Sequence, residues 1–264
     1  MNIVVCVKYV PDAQSERTFN ESDNTTDRVG VDGLLSELDE YAVEEALKIV
    51  EAGEGEVTVL TVGPDQAADA VKKALQMGAH KGVHVNDEAI HGSDSVATSL
   101  VLAEAVKKIG NADLVLTGMA STDGTMSVVP AMLAERLGLP QVTFASELSV
   151  DGGAGGTVTI RRDGDAASET IVASLPALVS VTDQINEPRY PSFKGIMAAK
   201  KKPLETWSLG DIGVDAGQVG LDAAWTAVEE TAARPPRTAG EIVKDEDGSG
   251  ATALVEFLAS KKFI

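Results

Sequence analysis

The chain has a single cysteine, Cys6, which excludes an internal disulfide framework. Basic residues are few. Lys and Arg total 22 against 41 Asp and Glu, and the formal charge of -19 is spread over both halves. Such a surface repels phosphate backbones and anionic lipid, so neither nucleic acid nor a membrane surface is the expected partner, and proteins or small molecules are. No apolar run approaches the ~18 residues of a membrane span, which excludes membrane insertion. No charged leader segment or cleavage site follows Met1, so a cytoplasmic protein is expected. Paired carboxylates, a Ser-His-Asp order and metal-ligand spacing are all missing. His80, His84 and His91 straddle a helix end, a strand and a loop. Neither a G-x-G-x-x-G nor a Walker lysine follows the first strand, so the familiar dinucleotide and P-loop fingerprints are absent.

What is present is an α/β pattern. Residues 2–8 (NIVVCVK) form an apolar, β-branched run without alternation, as expected of a strand covered on both faces, and Cys6 lies inside it as a small core residue. Residues 9–33 are a polar excursion with several turn signals, read as an irregular loop or small hairpin. It is long for a strand-to-helix connection. Ser36 and Asp39 resemble a capping box opening a helix through Glu51. A strand is expected over 56–62, a turn at Gly63, Pro64 and Asp65, a helix over 66–77 and a strand over 82–85. A helix capped by Ser93 should run to Lys108, before a buried strand over 112–117. This alternation requires right-handed parallel crossovers and hence a doubly wound, mostly parallel, Rossmann-like sheet.

Such a sheet binds ligands where its strand order reverses. With the first strand central, the crevice lies between residues 8–12 and the loop 118–125 (GMASTDGT), which feeds a helix expected from Met126. That loop offers backbone N–H groups and a helix dipole to a phosphate, or Ser121 and Asp123 merely cap the helix. After Gly138 the period becomes two. Segments 140–150, 157–162, 169–174 and 176–182 read as an antiparallel extension of the sheet, with Ile160 and Val172 inward and the turn 151–156 rich in glycine.

The last buried strand delivers the chain into 186–203 (NEPRYPSFKGIMAAKKKP). Pro188 and Pro191 stiffen its start, so Phe193 stands on a rigid loop or else tucks beneath it, and Lys200 to Lys202 are docking charge or a solvated helix end. From Leu204 the composition thins, with Trp207 and Trp225 isolated, then Arg234-Pro-Pro-Arg-Thr and an amphipathic helix near 251–260. The chain therefore divides into a nucleotide-binding domain, 1–203, and an extended tail, 204–264, that wraps on a partner.

The run from Asn186-Glu-Pro-Arg-Tyr to Lys202 is the most specific of several pieces with a family likeness. The others are the block 160–180, Ala42-Val-Glu-Glu-Ala46, residues 75–79 with His84-Val, 141–146 and Arg237-Thr-Ala-Gly. Through them the chain resembles, over its whole length, the β subunit of electron transfer flavoproteins. The resemblance implies a heterodimer with an electron transfer flavoprotein α subunit that holds most of a single FAD. It also implies electrons taken from soluble dehydrogenases, notably acyl-CoA dehydrogenases, and passed to a membrane quinone oxidoreductase, with the chain itself an electron carrier rather than an enzyme. It implies AMP bound by Cys6, Val62, Gly63, Asp123, Gly124, Thr125, Ser127, Val128 and Val129. Ser127-Val128-Val129 replaces the Asn-Gln-Thr triplet of animal members, so Ser127 and backbone amides would contact the phosphate. Ala13 and Leu38 stand where other members carry aromatics at the flavin edge. Phe193 takes the place of a leucine that plugs a pocket on the dehydrogenase, framed by Arg189, Tyr190, Ile196 and Met197. Bifurcating members put a second FAD in the AMP position. The threonine and glutamine of their Asp-Gly-Asp-Thr-Ala-Gln run are missing here. An ATP-using enzyme of this architecture would need a glycine loop after the first strand, and a small-molecule stress module would have no use for the tail.

Overall fold

The computed structural model describes every residue except Glu16, Val29, Ala154, Ala233, Arg234, Arg237, Thr238, Glu241 and Glu246. Arg234, Arg237 and Thr238, which belong to sequence pieces singled out for the tail, thus lie outside the described residues, as does Ala154 of the expected turn.

Residues Met1–Glu229 form one unit and Glu230–Ile264 another. In the first, strands β1 (Asn2–Cys6), β4 (Glu56–Val62), β5 (Lys81–Val85), β6 (Leu114–Gly118), β7 (Gln141–Asp151), β8 (Thr157–Asp163), β9 (Ser168–Ser174), β10 (Ala177–Val181) and β11 (Leu204–Trp207) build one sheet in the order β11-β5-β4-β1-β6-β10-β7-β8-β9. From β11 to β7 all neighbours are parallel, and β8 and β9 add the antiparallel edge. The α/β, doubly wound architecture is the expected one. The small pair β2 (Tyr9–Pro11) and β3 (Gly33–Leu35) closes the excursion as a hairpin with a long tip.

Alternation along β1 explains the layers. Ile3, Val5 and Val7 face a core shared with helices α1 (Glu37–Ala52) and α2 (Ala68–Met77), while Val4 and Cys6 face a second core under α3 (Ser95–Ile109) and α4 (Val129–Leu137). Successive strand side chains point to opposite faces, so a strand buried on both sides must be apolar throughout. On the first face α1 contributes Ala42, Val43, Ala46, Leu47 and Val50, an i, i+3, i+4 stripe whose Leu47 is 1% exposed. Cutting Leu47 to alanine would cost about 2–5 kcal/mol.

Four expectations need correction. Ser36 precedes α1 but makes no side-chain cap bond, and Asp39 turns inward instead of closing a capping box. Asp94, not Ser93, caps α3 by accepting the Ala97 N–H, while the Ser93 hydroxyl accepts the Gly220 N–H. Helix α4 starts at Val129 rather than Met126, because Thr125 and Ser127 have left-handed backbones (φ 51° and 57°) that no helix accepts. Val172 is 60% exposed, and its neighbour Ile171 packs on the core instead. Ile160 faces Ile171 directly across the ladder, and directly opposed residues share a face.

The domain boundary also differs from the expected 203/204. Leu204–Trp207 joins the sheet as β11 beside β5, and Leu209, Ile212, Val214 and Val219 complete the second core, so the unit extends to Glu229. In the second unit, α6 (Gly250–Ser260) has no buried residue, and Leu254, Val255 and Phe257 are exposed.

Candidate functional site

The reversal of strand order falls at β1, which pairs with β4 on one side and β6 on the other. Register brings the exits level, with Cys6 opposite both Leu60 and Thr117. Val62 and Gly63 therefore leave β4, and Gly118 leaves β6, on either side of the end of β1. The half-buried Val62 and Gly63 thus lie at the exit of β4, and the loop from Asp123 to Val129 follows the exit of β6 and is tied by Asp123 to Lys8 at the end of β1.

Its electrostatics centre on two aspartates. Asp123 is 4% exposed at its side chain, and its two oxygens take Lys8 Nζ at 2.8 Å and Arg28 Nη2 at 2.7 Å. Burial pulls this carboxyl upward, but Lys8, Ser121 and Arg28 together hold it below the usual carboxylate range. Lys8 is lowered by its own burial, against the pull of Asp123. Arg17 ties the same loop from above, donating to the carbonyls of Thr122 at 2.7 Å and Asp123 at 3.2 Å. Asp123 therefore anchors the loop to β1 and to the excursion, and it does not cap α4.

Asp39 lies deeper. Its Oδ2 accepts the Lys8 N–H at 2.8 Å, and burial pushes its carboxyl up to about 7 against backbone bonds from Lys8 and Gly118. The same desolvation, with Asp39 adding to it, pushes the Cys6 thiol up to about 12, so Cys6 is an inert core thiol. Only glycine fits at the end of β6, because a Cβ on Gly118 would lie 2.6 Å from Asp39 Oδ1 and 2.7 Å from the Leu38 carbonyl.

The loop between β6 and α4 fits an anionic group such as a phosphate. The left-handed Thr125 and Ser127, followed by right-handed Val128, turn successive N–H groups to one side at the start of the nine-residue α4, which is the geometry of an anion cradle. The N–H groups of Met126, Ser127 and Val128 have no acceptor among the described residues. The buried Thr117 hydroxyl near the end of β6 also lacks a partner among the described residues. Lys8 and Arg28 supply positive charge beside them. Leu38 is half-buried against Gly118, while Ala13 is exposed in the turn 12–15.

The docking candidates lie elsewhere. Ser192 caps the short helix α5 (Phe193–Ala199) by accepting the Gly195 N–H, so Phe193 is the first helical residue rather than part of a loop. It is 81% exposed and Tyr190 91%, with Ile196 and Met197 exposed beside them. Arg189 does not frame this patch. Its guanidinium is bound to Glu44 (2.7 and 3.0 Å) and to Glu51 (2.5 and 2.9 Å) on α1. The lysines divide as well. Lys202 donates to the carbonyls of Leu75 and Gly78 and so satisfies the C-terminal end of α2, while Lys194, Lys200 and Lys201 have no ion-pair partner among the described residues.

Sequence reasoning missed Lys8, Arg17, Arg28, Asp39, Glu44 and Glu51. A signal existed for some of them. Lys8 is a charge closing a buried strand, Arg17 and Arg28 are the only basic residues of a largely acidic excursion, and Glu44 and Glu51 lie seven apart on one face of a helix.

A model of the electron transfer flavoprotein domain matches residues 23–212. Among curated relatives, the electron transfer flavoprotein subunit beta of Mycobacterium bovis is 48% identical over all of this chain and 99% of its own length. That of Megasphaera elsdenii is 32% identical over the whole of both chains. The subunit CarD of the caffeyl-CoA reductase–Etf complex of Acetobacterium woodii is 35% identical over 92% of each. On this full-length similarity, the chain belongs to the electron transfer flavoprotein β-subunit family.

Proposed function

We propose that the chain pairs with an electron transfer flavoprotein α subunit in the cytoplasm, and that the pair carries electrons from soluble dehydrogenases such as acyl-CoA dehydrogenases to a membrane quinone oxidoreductase. One FAD, held mainly by the α subunit, supplies the redox chemistry when bound. This chain's residues do the rest. Thr125 to Val129, with Lys8 and Arg28, hold the phosphate of an AMP at the strand exits. Leu38, on the neighbouring edge, and Ala13 border the flavin. Of the expected tail 204–264, the part beyond the first unit, 230–264, packs on the α subunit.

The observation that carries the reading is Phe193. A large aromatic side chain 81% exposed on a surface of this charge is an anchor waiting for a pocket. Of the polar residues around it, Arg189, Ser192 and Lys202 are already bonded within the chain, while Lys194, Lys200 and Lys201 stay on open surface. A redox partner must bind briefly, which favours one anchor on a pre-formed support over a large interface.

Co-expression with an α subunit should give a yellow 1:1 complex that releases one FAD and AMP on denaturation, measured by chromatography of the supernatant. Two FAD per dimer would instead assign bifurcation, and a colourless chain hydrolysing ATP would overturn the reading. Phe193→Ala should raise the KM for the donor dehydrogenase roughly tenfold or more with flavin content intact, as for an interface hot spot. Unchanged kinetics would remove Phe193 from the docking surface.

A further inference from the structure

Resting on the reading of Phe193 as the docking anchor, we infer that Arg189 is a positioning residue: it locks the segment 190–199 onto helix α1 so that Phe193 is presented ready to dock, and it makes no contact with the partner itself. Its fork spans two carboxylates, Glu44 and Glu51, which are two helical turns apart on one face of α1. All three guanidinium nitrogens are used within the chain, and the Arg189 backbone N–H is bound to Glu44 as well, at 3.2 Å. Four of its five guanidinium N–H groups are donated to these two carboxylates, so at most one is left over for a partner.

The neighbouring residues extend the same attachment. Asn186 Nδ2 donates to the Tyr41 carbonyl and to Glu45 Oε2, both at 3.0 Å, so the start of the segment is bonded to α1 at successive turns. Beyond Phe193, a Cβ on Gly195 would lie 2.5 Å from the Gln76 carbonyl, which shows how closely α5 lies on the end of α2. Lys202 then closes the segment on Leu75 and Gly78. Phe193 sits between two fixed ends, and Arg189 is the strongest tie of the first.

The arrangement explains why arginine is needed. A lysine is a point charge and reaches one carboxylate, whereas the planar fork bridges two in fixed geometry. Glu44 is 8% exposed at its side chain, so losing its partner leaves a buried charge unpaired. The segment would then sample many conformations, and docking would have to select one of them.

Three measurements on the co-purified α/β complex test this. Hydrogen exchange of the amides 190–199 should accelerate at least tenfold in Arg189→Ala and in Arg189→Lys, with flavin content unchanged. Exchange that does not move overturns the proposal whatever the docking surface proves to be. With a purified acyl-CoA dehydrogenase turning over octanoyl-CoA as donor, Arg189→Ala should raise KM roughly five- to tenfold at unchanged limiting rate, the size expected for ordering one or two backbone residues. On a Phe193→Ala background, Arg189→Ala should add nothing, because it acts through Phe193. Additive effects, or a flat KM for Arg189→Ala while Phe193→Ala raises it, overturn the positioning role. A flat KM for Phe193→Ala alone would sink the docking reading instead.

Discussion

The crevice at the exits of β1 and β6 and the segment 186–203 both present something to another molecule, and they are built in opposite ways. In the crevice, charge is buried and function lies in backbone geometry. Asp123 and Asp39 are nearly sealed, and each is bonded to groups of other elements. On the docking segment Arg189 and Lys202 are bonded inward, and the large apolar side chains of Tyr190, Phe193, Ile196 and Met197 face solvent beside the exposed Lys194, Lys200 and Lys201. The difference follows from the ligands proposed for each. A resident nucleotide is held by a site that costs stability if any member is lost, whereas a transient protein partner is best met by an anchor the fold can do without.

That contrast can be broken or sharpened by experiment. The largest effect is expected at Asp123. Asp123→Ala leaves Lys8 and Arg28 facing each other without their shared carboxylate, and should cost about 3 kcal/mol together with the bound nucleotide. Urea unfolding of the complex and chromatography of its nucleotide would show this. A variant of wild-type stability would mean that the excursion is held some other way.

A smaller effect concerns pH. The Asp39 carboxyl titrates near 7 when folded and near 3.8 when unfolded, so the folded chain holds a proton that the unfolded chain has released between those values. Its contribution to stability is full below about pH 4 and is lost as pH rises to about 7, at about 1 kcal/mol per unit or less. Asp123 has the opposite sign. Its depressed pKa contributes stability above 3.8 that is lost only as pH falls below that value. Asp39→Asn should therefore flatten the stability profile between pH 5 and 7 and leave the acid limb in place. A slope that persists in the variant would show that another group carries it.

The smallest effect on the fold is expected at Phe193. Phe193→Ala should change the free energy of urea unfolding by no more than about 0.5 kcal/mol, since its side chain meets mainly solvent. A larger loss would show that Phe193 packs within the fold and would erase the contrast between the two regions.

Much of the fold is legible in the order of residues. Apolar runs such as residues 3–7, or 177–181 with its single Ser180, read as strands covered on both faces, and their alternation with helical stripes dictates parallel crossovers. The crevice and the glycine-containing loop beside it follow from the same argument. Local pattern misleads where a side chain has two uses. Ser36 and Asp39 have the spacing of a cap, yet Asp39 is drawn inward because β1 and β6 leave backbone N–H groups there that need an acceptor. Val172 and Ile171 are equivalent to a periodicity count, and only pairing with Ile160 decides which faces the core.

The sequence by itself determined the α/β class, the approximate strands and helices and the block that carries the family likeness, because burial on two faces and helix periodicity are local properties of the chain. The tertiary structure alone decided that Arg28 and Lys8 share Asp123, that Arg189 grips α1 instead of facing a partner, and that the three lysines divide between a helix cap and open surface. Those pairings join residues between 95 and 145 positions apart. No local pattern encodes which distant charges meet, since that depends on where the crossovers set the elements down.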